Sequence, residues 1–591
     1  MGKGTGNREP GTGDEGRKAT VTSHQSPEKA FPLRGRCPSA HTGADEVASN
    51  DTPVTSHRSP GGRGTDCHDQ SPDWSRNDKF GSASPSDDRY LSPVTCDLSL
   101  PPAPAREALS RLTAAGFEAY LVGGCVRDAL LGREPGDWDI TTAALPEQTE
   151  AVFAGERIIE TGLKHGTVTV LLEGLPLEIT TFRTETGYAD HRHPDSVAFT
   201  RSLEEDLARR DFTINAMAWR PVDTPRIRRC APPSPQGEGL VDPFGGQADL
   251  NARIIRCVGD PYARFNEDAL RILRALRFAS QLDFEIDPAT AAAALALKDT
   301  LSLVSKERLA VELTKLLLGP GVRRIVTAYW PILAVPLPEL APMAGLDQRS
   351  PYHCWDVLEH SAVAAENTPP DRISRWAALL HDAGKPACFT LDETGRGHFY
   401  GHAKPGAALA REALTRLKFD KDTVNRVSRL VELHDYPIDP PVEPAEGGVP
   451  DAPQASASGG SGASGTPPPV KISAAERAVR RLIGKLGEED FFRLLDLKRA
   501  DALAHHPDCR GRAAACDRLE TLARELLAQE AVFSLKDLAV NGNDLMALGV
   551  PKGPALGAVL NALLEAVLSG ALPNEKTALL QAARSAPDGA T

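Results

Sequence analysis

Apolar and polar positions follow three regimes along the chain, and the switches between them mark its parts. Up to about residue 97 the apolar residues have no recurrent spacing, and Ser, Pro, Gly, Thr and Asp predominate. Such a stretch buries too little apolar surface to offset the entropy of ordering, so residues 1–97 are expected to form a disordered extension. The pattern changes near Pro101: Glu107 to Ala115 reads as a helix and Ala119 to Val122 as a short apolar strand. Strand-like segments then recur in GTVTVLLEG, LEITTFRTE and DSVAFT, which are β-branched and alternate with period two. A Pro-rich break interrupts this region from Pro221 to Gly239. From Asp260 the period lengthens to that of helices, as in FNEDALRILRALRFASQL and SKERLAVELTKLLL. A second helical unit opens near Tyr352, breaks at a Pro/Gly/Ser/Ala stretch read as a flexible insertion, and resumes at Ser473. NGNDLMALG reads as a turn between two of the last helices.

Composition narrows the picture. At 591 residues the chain is too long for one small core, and 41% hydrophobic content suits a globular protein. The ten cysteines show no CxxC pair, which fits reduced thiols. No apolar run is long enough to span a bilayer, and the N-terminus has no apolar signal core, so no membrane association and a cytoplasmic location are expected. The net charge of −13 excludes a generally basic nucleic-acid binder. RNA contact would need local basic surface, for which Arg271 to Arg277 and Arg477 to Arg499 are the candidates.

Candidate chemistry concentrates in LVGGCVRDALLGREPGDWDITTAA, Leu121 to Ala144. Residues i and i+2 of a strand share a face, so Asp137 and Asp139 project together. Paired carboxylates suit magnesium, which takes hard oxygen ligands and leaves positions for substrate phosphates. Gly123 and Gly124 lack Cβ and let backbone amides approach a polyphosphate. LARRDFTINAMAW supplies Arg209, Arg210, Asp211 and Asn215; guanidinium forks suit phosphate oxygens, and Asn suits a ribose hydroxyl. LVDPFGG adds a tight turn. EDALRILRALRF puts Asp268 and Arg271 at i, i+3, expected on one helix face, with Arg274 and Arg277 continuing the stripe. Ser305 to Leu313 carries Glu307 and Arg308. Each stretch alone has an ordinary reading as a solvated loop, a charged cap or a surface ion pair; their combination does not.

In that order the stretches resemble the class II tRNA nucleotidyltransferase/poly(A) polymerase family, through its GGxVRDxLLGxxxxDxD, RRDFTxNAxA, DPxGGxxDL, EDxLRxxRxxRF and ER motifs. The resemblance implies an α+β fold with a nucleotidyltransferase-type mixed-sheet head followed by all-α parts. It implies magnesium on Asp137 and Asp139, which are the catalytic pair. It implies nucleotide contacts from Gly123, Gly124, Arg127, Arg210, Asp211, Asn215, Asp268, Arg271, Arg274 and Arg277, with Asp268 and Arg271 as a protein template for the incoming base. Arg offers only donors and ionised Asp only acceptors, so such a pair can address a base edge. RTETGYADHRHPDSVAFT, Arg183 to Thr200, also resembles the family, in a loop near the site.

The second unit is histidine-rich. YHCWDVLEHSAVAA, LLHDAGKP, GHFYGHAKPGAALA, VELHDYP and KRADALAHHPD follow one another, and His381-Asp382 before AGKP resembles the HD phosphohydrolase superfamily. That resemblance implies metal ligands His360, His381, Asp382 and Asp501, with His402 and His434 for a second position and His353 as the alternative to His360. The bound ion would be a second divalent metal of the chain, a transition metal or magnesium. The ending, Ser534 to Glu575, resembles the body and tail of HD-bearing bacterial CCA-adding enzymes.

The expected domains are a disordered extension (1–97), a nucleotidyltransferase head (103–258), a helical neck that binds nucleotide and RNA (259–350), an HD domain in two parts (351–439 and 471–530) around a disordered insertion (440–470), and a helical tRNA-binding body and tail (531–591). The resemblance implies template-independent addition of CCA to the 3′ end of tRNA from CTP and ATP, with phosphohydrolase activity at the HD site. The alternatives are a poly(A) polymerase, a CC-only adding enzyme, and an HD phosphohydrolase with a non-catalytic RNA-binding head.

Overall fold

The computed structural model describes residues 101–159, 162, 166–187, 196–221, 239–437, 472–529 and 531–585, all within one compact unit. The extension at 1–97, the insertion at 440–470, residues 222–238 of the Pro-rich break and residues 188–195 of the Arg183–Thr200 segment lie outside them.

The head is built on helix α1 (Ala103–Ala114), strand β1 (Ala119–Val122), α2 (Gly124–Leu130), β2 (Trp138–Thr142), α3 (Pro146–Val152), β3 (Arg157–Ile159), β4 (Thr167–Leu172), β5 (Leu175–Thr181), β6 (Arg183–Thr186), β7 (Ser196–Phe199), α4 (Leu203–Ala208), β8 (Ala218–Trp219) and β9 (Leu240–Val241). Helix α1 starts at Ala103, four residues before the expected Glu107. Pro102 and Pro104 preset the backbone at its first turn, and Ala105, Ala108, Leu109 and Leu112 form its buried stripe. Alternation decides β4, where Val168, Val170 and Leu172 face the core. Seven strands form one mixed sheet in the order β3-β4-β5-β2-β1-β8-β9. Central β2 runs parallel to β5 and antiparallel to β1, with Asp139 opposite Glu178 and Ile140 opposite Leu121. Strands β6 and β7 form a separate hairpin.

Helices take over with α5 (Gly246–Ala252), α6 (Pro261–Glu267), α7 (Leu270–Leu282), α8 (Pro288–Ala296), α9 (Lys306–Leu317) and α10 (Val322–Leu333), interrupted by the two-residue strands β10 (Ile254–Ile255) and β11 (Glu285–Ile286). The histidine-rich region comprises α11 (Val357–Asn367), α12 (Arg372–Leu380), α13 (Lys385–Cys388), a hairpin of β12 (Thr390–Leu391) and β13 (Gly397–His398), α14 (Ala403–Arg416), α15 (Lys421–Leu433), α16 (Ala474–Leu486), α17 (Glu488–Ala504) and α18 (Gly511–Ala528). Asp356, Asp371 and Asp420 cap α11, α12 and α15 by accepting backbone N–H bonds. The chain closes with α19 (Gly542–Ala547), α20 (Pro554–Leu568) and α21 (Lys576–Ser585). NGNDLMALG is therefore not a simple turn: Asn541 accepts from the amides of Asn543 and Asp544, and this cap nucleates α19.

One hydrophobic core runs continuously from Ala105 in α1 to Leu526 in α18, while Val532 to Leu579 form a separate small core. Trp376 of α12 reaches Thr314 of α9 with its indole N–H at 3.1 Å, one of the polar links between the histidine-rich region and the neck. Among the described residues no helix is long and apolar enough to cross a membrane.

Candidate active sites

The first site forms where β1, β2, α2 and the Arg209–Asn215 segment meet. Gly123 has φ +79°, a conformation open to glycine, and turns the chain from β1 into α2. Asp137 immediately precedes β2 and Asp139 lies within it. Glu178, in register with Asp139 on parallel β5, presents a third carboxylate to the same place. Burial first, then Glu178, push the Asp139 carboxyl up to about 6 against the pull of Arg210, and Asp137 adds to the rise. Crowded acidic oxygens short of counter-charge form a donor set that fits a divalent cation. Sequence reading missed Glu178, although the LEITTF alternation sets it apart from the buried Leu177 and Ile179.

The arginines are placed before any substrate arrives. Arg127 donates to Asn215 Oδ1 at 2.8 Å, pairs with Asp128 at 2.8 Å and lies 5.1 Å from the Phe278 ring. The Arg210 guanidinium packs against Gly123, so that a Cβ there would sit 3.2 Å from Nη1. Its Nε is buried without a partner, while Nη2 lies 3.5 Å from Asp206. Asp206, also missed, is fully buried and accepts from Thr141 on β2 (3.0 Å) and Arg209 (2.8 Å). Asp211 accepts from Asn215 (3.2 Å) and Arg274 (2.7 Å); despite burial, Arg274 and Arg271 hold its carboxyl down at about 2.

Asp268 and Arg271 do not share a helix face. Asp268 has extended dihedrals in the break between α6 and α7, and its Oδ1 accepts the Leu270 amide. Its Oδ2 pairs with Arg308 at 2.7 Å, whereas Arg271 bonds Glu267 and donates to the carbonyls of Arg264 and Arg209, both at 3.2 Å. The two residues still flank one break in the chain, each held by its own partner. Arg277 is buried with Glu312 (3.0 Å) and stacks on Phe278 at 4.0 Å; burial lowers it to about 10.

The second site draws on α11, α12, α14, α15 and α17. His360 Nε2 lies 2.9 Å from Asp501 Oδ1 and 3.5 Å from Asp382 Oδ2, with His381 Nε2 3.2 Å from the same Asp382 oxygen. Asp382 Oδ1 faces His402 Nε2 at 3.1 Å and His434 Nε2 at 3.8 Å. The sequence-derived ligands thus converge as His360/His381/Asp382 and Asp382/His402/His434, and His505 joins His360 and Asp501 as a further candidate. His505 follows Asp501 by four residues across the end of α17, a spacing that could have revealed it. His353 stacks outside these groups, 5.5 Å from His360 and 4.6 Å from His505. Nδ1 of His381, His402 and His434 faces the carbonyls of Ala378, Phe399 and Val431 at 2.7–2.9 Å, and Nδ1 of His360 that of Ala504 at 3.3 Å. Donation there leaves each Nε2 lone pair aimed at the cluster, the arrangement imidazole metal ligands adopt.

His381 Nε2 and Asp382 Oδ2 are buried without a well-aligned hydrogen bond, although Lys385 Nζ lies 2.7 Å from that oxygen. A divalent ion fits this donor set. Without it, burial favours a neutral His381 ring, but the Asp382 and Asp501 carboxylates override it and raise the ring to about 10. Burial and that charge drive His434 down to about 3.

The expected basic stretch at Arg477–Arg499 is largely consumed internally. Arg480 pairs with Glu476, Arg481 with Glu565, Arg493 with Asp371 and Glu489, and Arg499 with Asp496, Asp517 and Glu520. Lys498 is spent on the carbonyls of His434 and Tyr436.

Acidic oxygens at paired strand positions beside an arginine-lined turn are what transfer of a nucleotidyl group requires, and with this mixed sheet they define a nucleotidyltransferase carrying a histidine-rich helical unit. Residues 119–256 match the Poly A polymerase head domain, 283–342 the probable RNA and SrmB-binding site of polymerase A, 352–505 the HD domain, and 510–583 tRNA nucleotidyltransferase domain 2 (putative). The CCA-adding enzyme of Levilactobacillus brevis is 35% identical over 483 residues, covering 81% of this chain and 96% of that protein. That of Geobacillus thermodenitrificans is 44% identical over 289 residues, 48% of this chain and 64% of the relative. The crystal structure of the Bacillus stearothermophilus CCA-adding enzyme in complex with CTP superposes with a TM-score of 0.55 at 30% identity, covering 81% and 96% of the two chains. The chain belongs to the CCA-adding enzyme family.

Proposed function

We propose that the head adds CCA to the 3′ end of tRNA from CTP and ATP, in the cytoplasm, and that the sequence-derived domain limits separate its working parts. The observation that carries this reading is the meeting of Asp137, Asp139 and Glu178 with Gly123, Arg127 and Arg210 in a chain of this family. The tRNA 3′-hydroxyl attacks the α-phosphorus; a new P–O bond forms, the bond to the β-phosphate bridge breaks, and pyrophosphate leaves. Asp137, Asp139 and Glu178 would hold magnesium, which when bound supplies charge neutralisation at the attacking and leaving oxygens. Arg127 and Arg210 orient the triphosphate, and the otherwise unpartnered Nε of Arg210 is available to a phosphate oxygen. Asp268 and Arg271, with Arg274 fixed by Asp211, face the incoming base.

The test is extension of tRNA lacking its 3′ end, with each labelled nucleotide supplied singly and together. Ordered addition of C, C and A that then stops is expected. Unlimited addition of A would replace this reading with a poly(A) polymerase, and arrest after two C with a CC-adding enzyme.

A second reading concerns the histidine cluster, where four imidazole Nε2 atoms and two carboxylates converge. We propose that it holds a divalent metal, a transition metal or magnesium, on His360, His381, Asp382 and Asp501 and hydrolyses a phosphoester. Metal content of the purified chain, and its loss in His381→Ala, test this.

A further inference from the structure

Three of the arginines around the head site gather on one phenyl ring. The guanidinium carbons of Arg277, Arg127 and Arg274 lie over Phe278 at 4.0, 5.1 and 5.3 Å from its centroid. All three fall inside the roughly 6 Å over which a ring face attracts a cation. Phe278 is 5% exposed, so water screens that attraction little. Arg274 and Arg277 share α7 with Phe278, and the chain itself keeps them near. Arg127 comes from α2 in the head, and no local rule brings it to α7. The Phe212 ring, from the segment that also carries Arg210 and Asp211, makes a T-shaped contact with Phe278 at 5.7 Å and 81°. Phe278 therefore joins three separate parts of the site: α2, the Arg209–Asn215 segment and α7.

Each of the three cations also has a carboxylate: Arg127 has Asp128, Arg274 has Asp211 and Arg277 has Glu312. A carboxylate holds a guanidinium through its N–H donors and so uses the groups that a phosphate would engage. A ring holds it by its face and leaves those donors free. Arg127 gives Nε and Nη2 to Asp128 at 2.9 and 2.8 Å and one Nη1 donor to Asn215 at 2.8 Å, which does not exhaust its fork. Asn215 passes the contact to Asp211 at 3.2 Å, and Asp211 to Arg274 at 2.7 Å. Arg127 and Arg274 are thus linked twice, by this hydrogen-bonded chain and through the ring. The cations repel one another as well: burial first, then Arg274, lower the Arg277 guanidinium, and Arg127 adds to the effect. A leucine of similar bulk would fill the space of the ring and leave that repulsion unanswered.

We propose that Phe278 is a positioning residue for nucleotidyl transfer: its ring seats the guanidinium groups of Arg127 and Arg274 against each other and so sets the triphosphate side of the site relative to the base side. The proposal rests on the nucleotidyl-transfer reading of the head and adds to it a buried residue that acts only through the arginines. Ring and nucleotide meet different aspects of each guanidinium, the ring its face and the phosphate or base its N–H edge. Loosening the ring's hold leaves the charges in place but unaligned. A nucleotide then meets the same net charge with fewer simultaneous hydrogen bonds.

The test uses the full chain as wild type, as Phe278→Leu, and with Phe278 exchanged for its mono-, di- and trifluorinated analogues, each checked by melting curves. Fluorine barely changes the size of the ring but withdraws charge from its face, so a cation-holding role follows the series and a packing role does not. Calorimetry with magnesium and no tRNA measures binding of CTP and of ATP. Affinity for both should fall stepwise along the series, by about tenfold at the trifluorinated ring, equivalent to about 1.4 kcal/mol. Phe278→Leu should fall at least as far. In urea titrations without nucleotide, the stability cost of trifluorination should shrink when Arg127→Met is also present, the coupling that a double-mutant cycle isolates. Affinities that ignore fluorination, even where Phe278→Leu weakens them, overturn the proposal, as does a fluorination cost that Arg127→Met leaves unchanged. Failure of wild type to bind either nucleotide would instead sink the reading of the head, and the urea cycle would still decide whether the ring holds Arg127.

Discussion

Replacing Gly123 by alanine introduces one methyl group at the point where the glycine turn, Arg210 and Asp139 meet. Two costs can be worked from the structure. The backbone at Gly123, φ +79° and ψ −130°, lies in a region L-residues rarely enter, and holding alanine there costs on the order of 1–3 kcal/mol. The new Cβ would lie 3.2 Å from Arg210 Nη1 and 4.0 Å from both Asp139 Oδ2 and the Asn215 carbonyl. Only the guanidinium contact is too short, so Arg210 has to yield by a few tenths of an ångström while Asp139 keeps its place. Buried Arg210 has one loosely held nitrogen, at 3.5 Å from Asp206, so its guanidinium can yield and lose its set position. A displacement approaching 1 Å of a positioning group lowers rates by about 100-fold. The expected result is therefore a stability loss of a few kcal/mol at most, with single-turnover CMP incorporation at saturating CTP slowed by about 10- to 100-fold. Melting curves and rapid-quench extension of truncated tRNA measure the two separately. An incorporation rate within twofold of wild type, in a variant destabilised as expected, would mean that Arg210 does not orient the reacting phosphate, and the arrangement derived above would be refuted.

Other perturbations probe the neighbouring groups. Glu178→Gln keeps the shape of β5 but removes the third carboxylate, and should raise the magnesium concentration needed for half-maximal incorporation; an unchanged magnesium titration would exclude Glu178 as a ligand. Arg308→Ala releases Asp268 from its 2.7 Å partner and should relax discrimination among the four nucleotides more than it slows correct addition, as read from competition between CTP and UTP. Gly384→Ala would put a Cβ 2.2 Å from the His402 carbonyl and 2.6 Å from the Gly406 amide, so α14 must shift and carry His402 with it. The variant should lose metal at the histidine cluster and melt earlier, by roughly the 1–3 kcal/mol typical of overpacking. Asp211 has a folded pKa of about 2 against an ordinary 3.8. A depressed carboxylate stabilises the fold above the unfolded value and loses that contribution as pH falls, so between pH 4 and 2 the wild type should lose about 2 kcal/mol more than Asp211→Asn in urea titrations.

What could be read from the sequence was set by whether a feature is local. The strand carrying Asp139, the His381-Asp382 corner and the long helices follow from short-range periodicity and turn chemistry. The strand β4, with Val168, Val170 and Leu172 turned inward, needs nothing beyond its own alternation. The convergence of His360, His381, Asp382 and Asp501 across as many as 141 residues was legible only through motif resemblance, because no local rule brings α11 and α17 together. Glu178 escaped because its meaning lies in a register: it matters through its parallel pairing with Asp139, which spacing along the chain does not encode. Asp268 was misplaced for a related reason. An i, i+3 spacing implies a shared helix face only if the helix is unbroken, and here α6 ends first, so that Asp268 caps the following turn and takes Arg308 from a helix 40 residues on. The basic stretch at Arg477–Arg499 failed through partners invisible to a charge count, since Asp371, Asp517, Glu520 and Glu565 arrive from three other elements or caps and neutralise it. The net charge of −13 is thus not relieved by that stretch. Around the head site, too, Arg210, Arg274 and Arg277 each have an acidic partner, Asp206, Asp211 and Glu312. If the proposed function holds, recognition of an RNA would then rest on shape and hydrogen bonds more than on charge, the mode that structured RNA supports best.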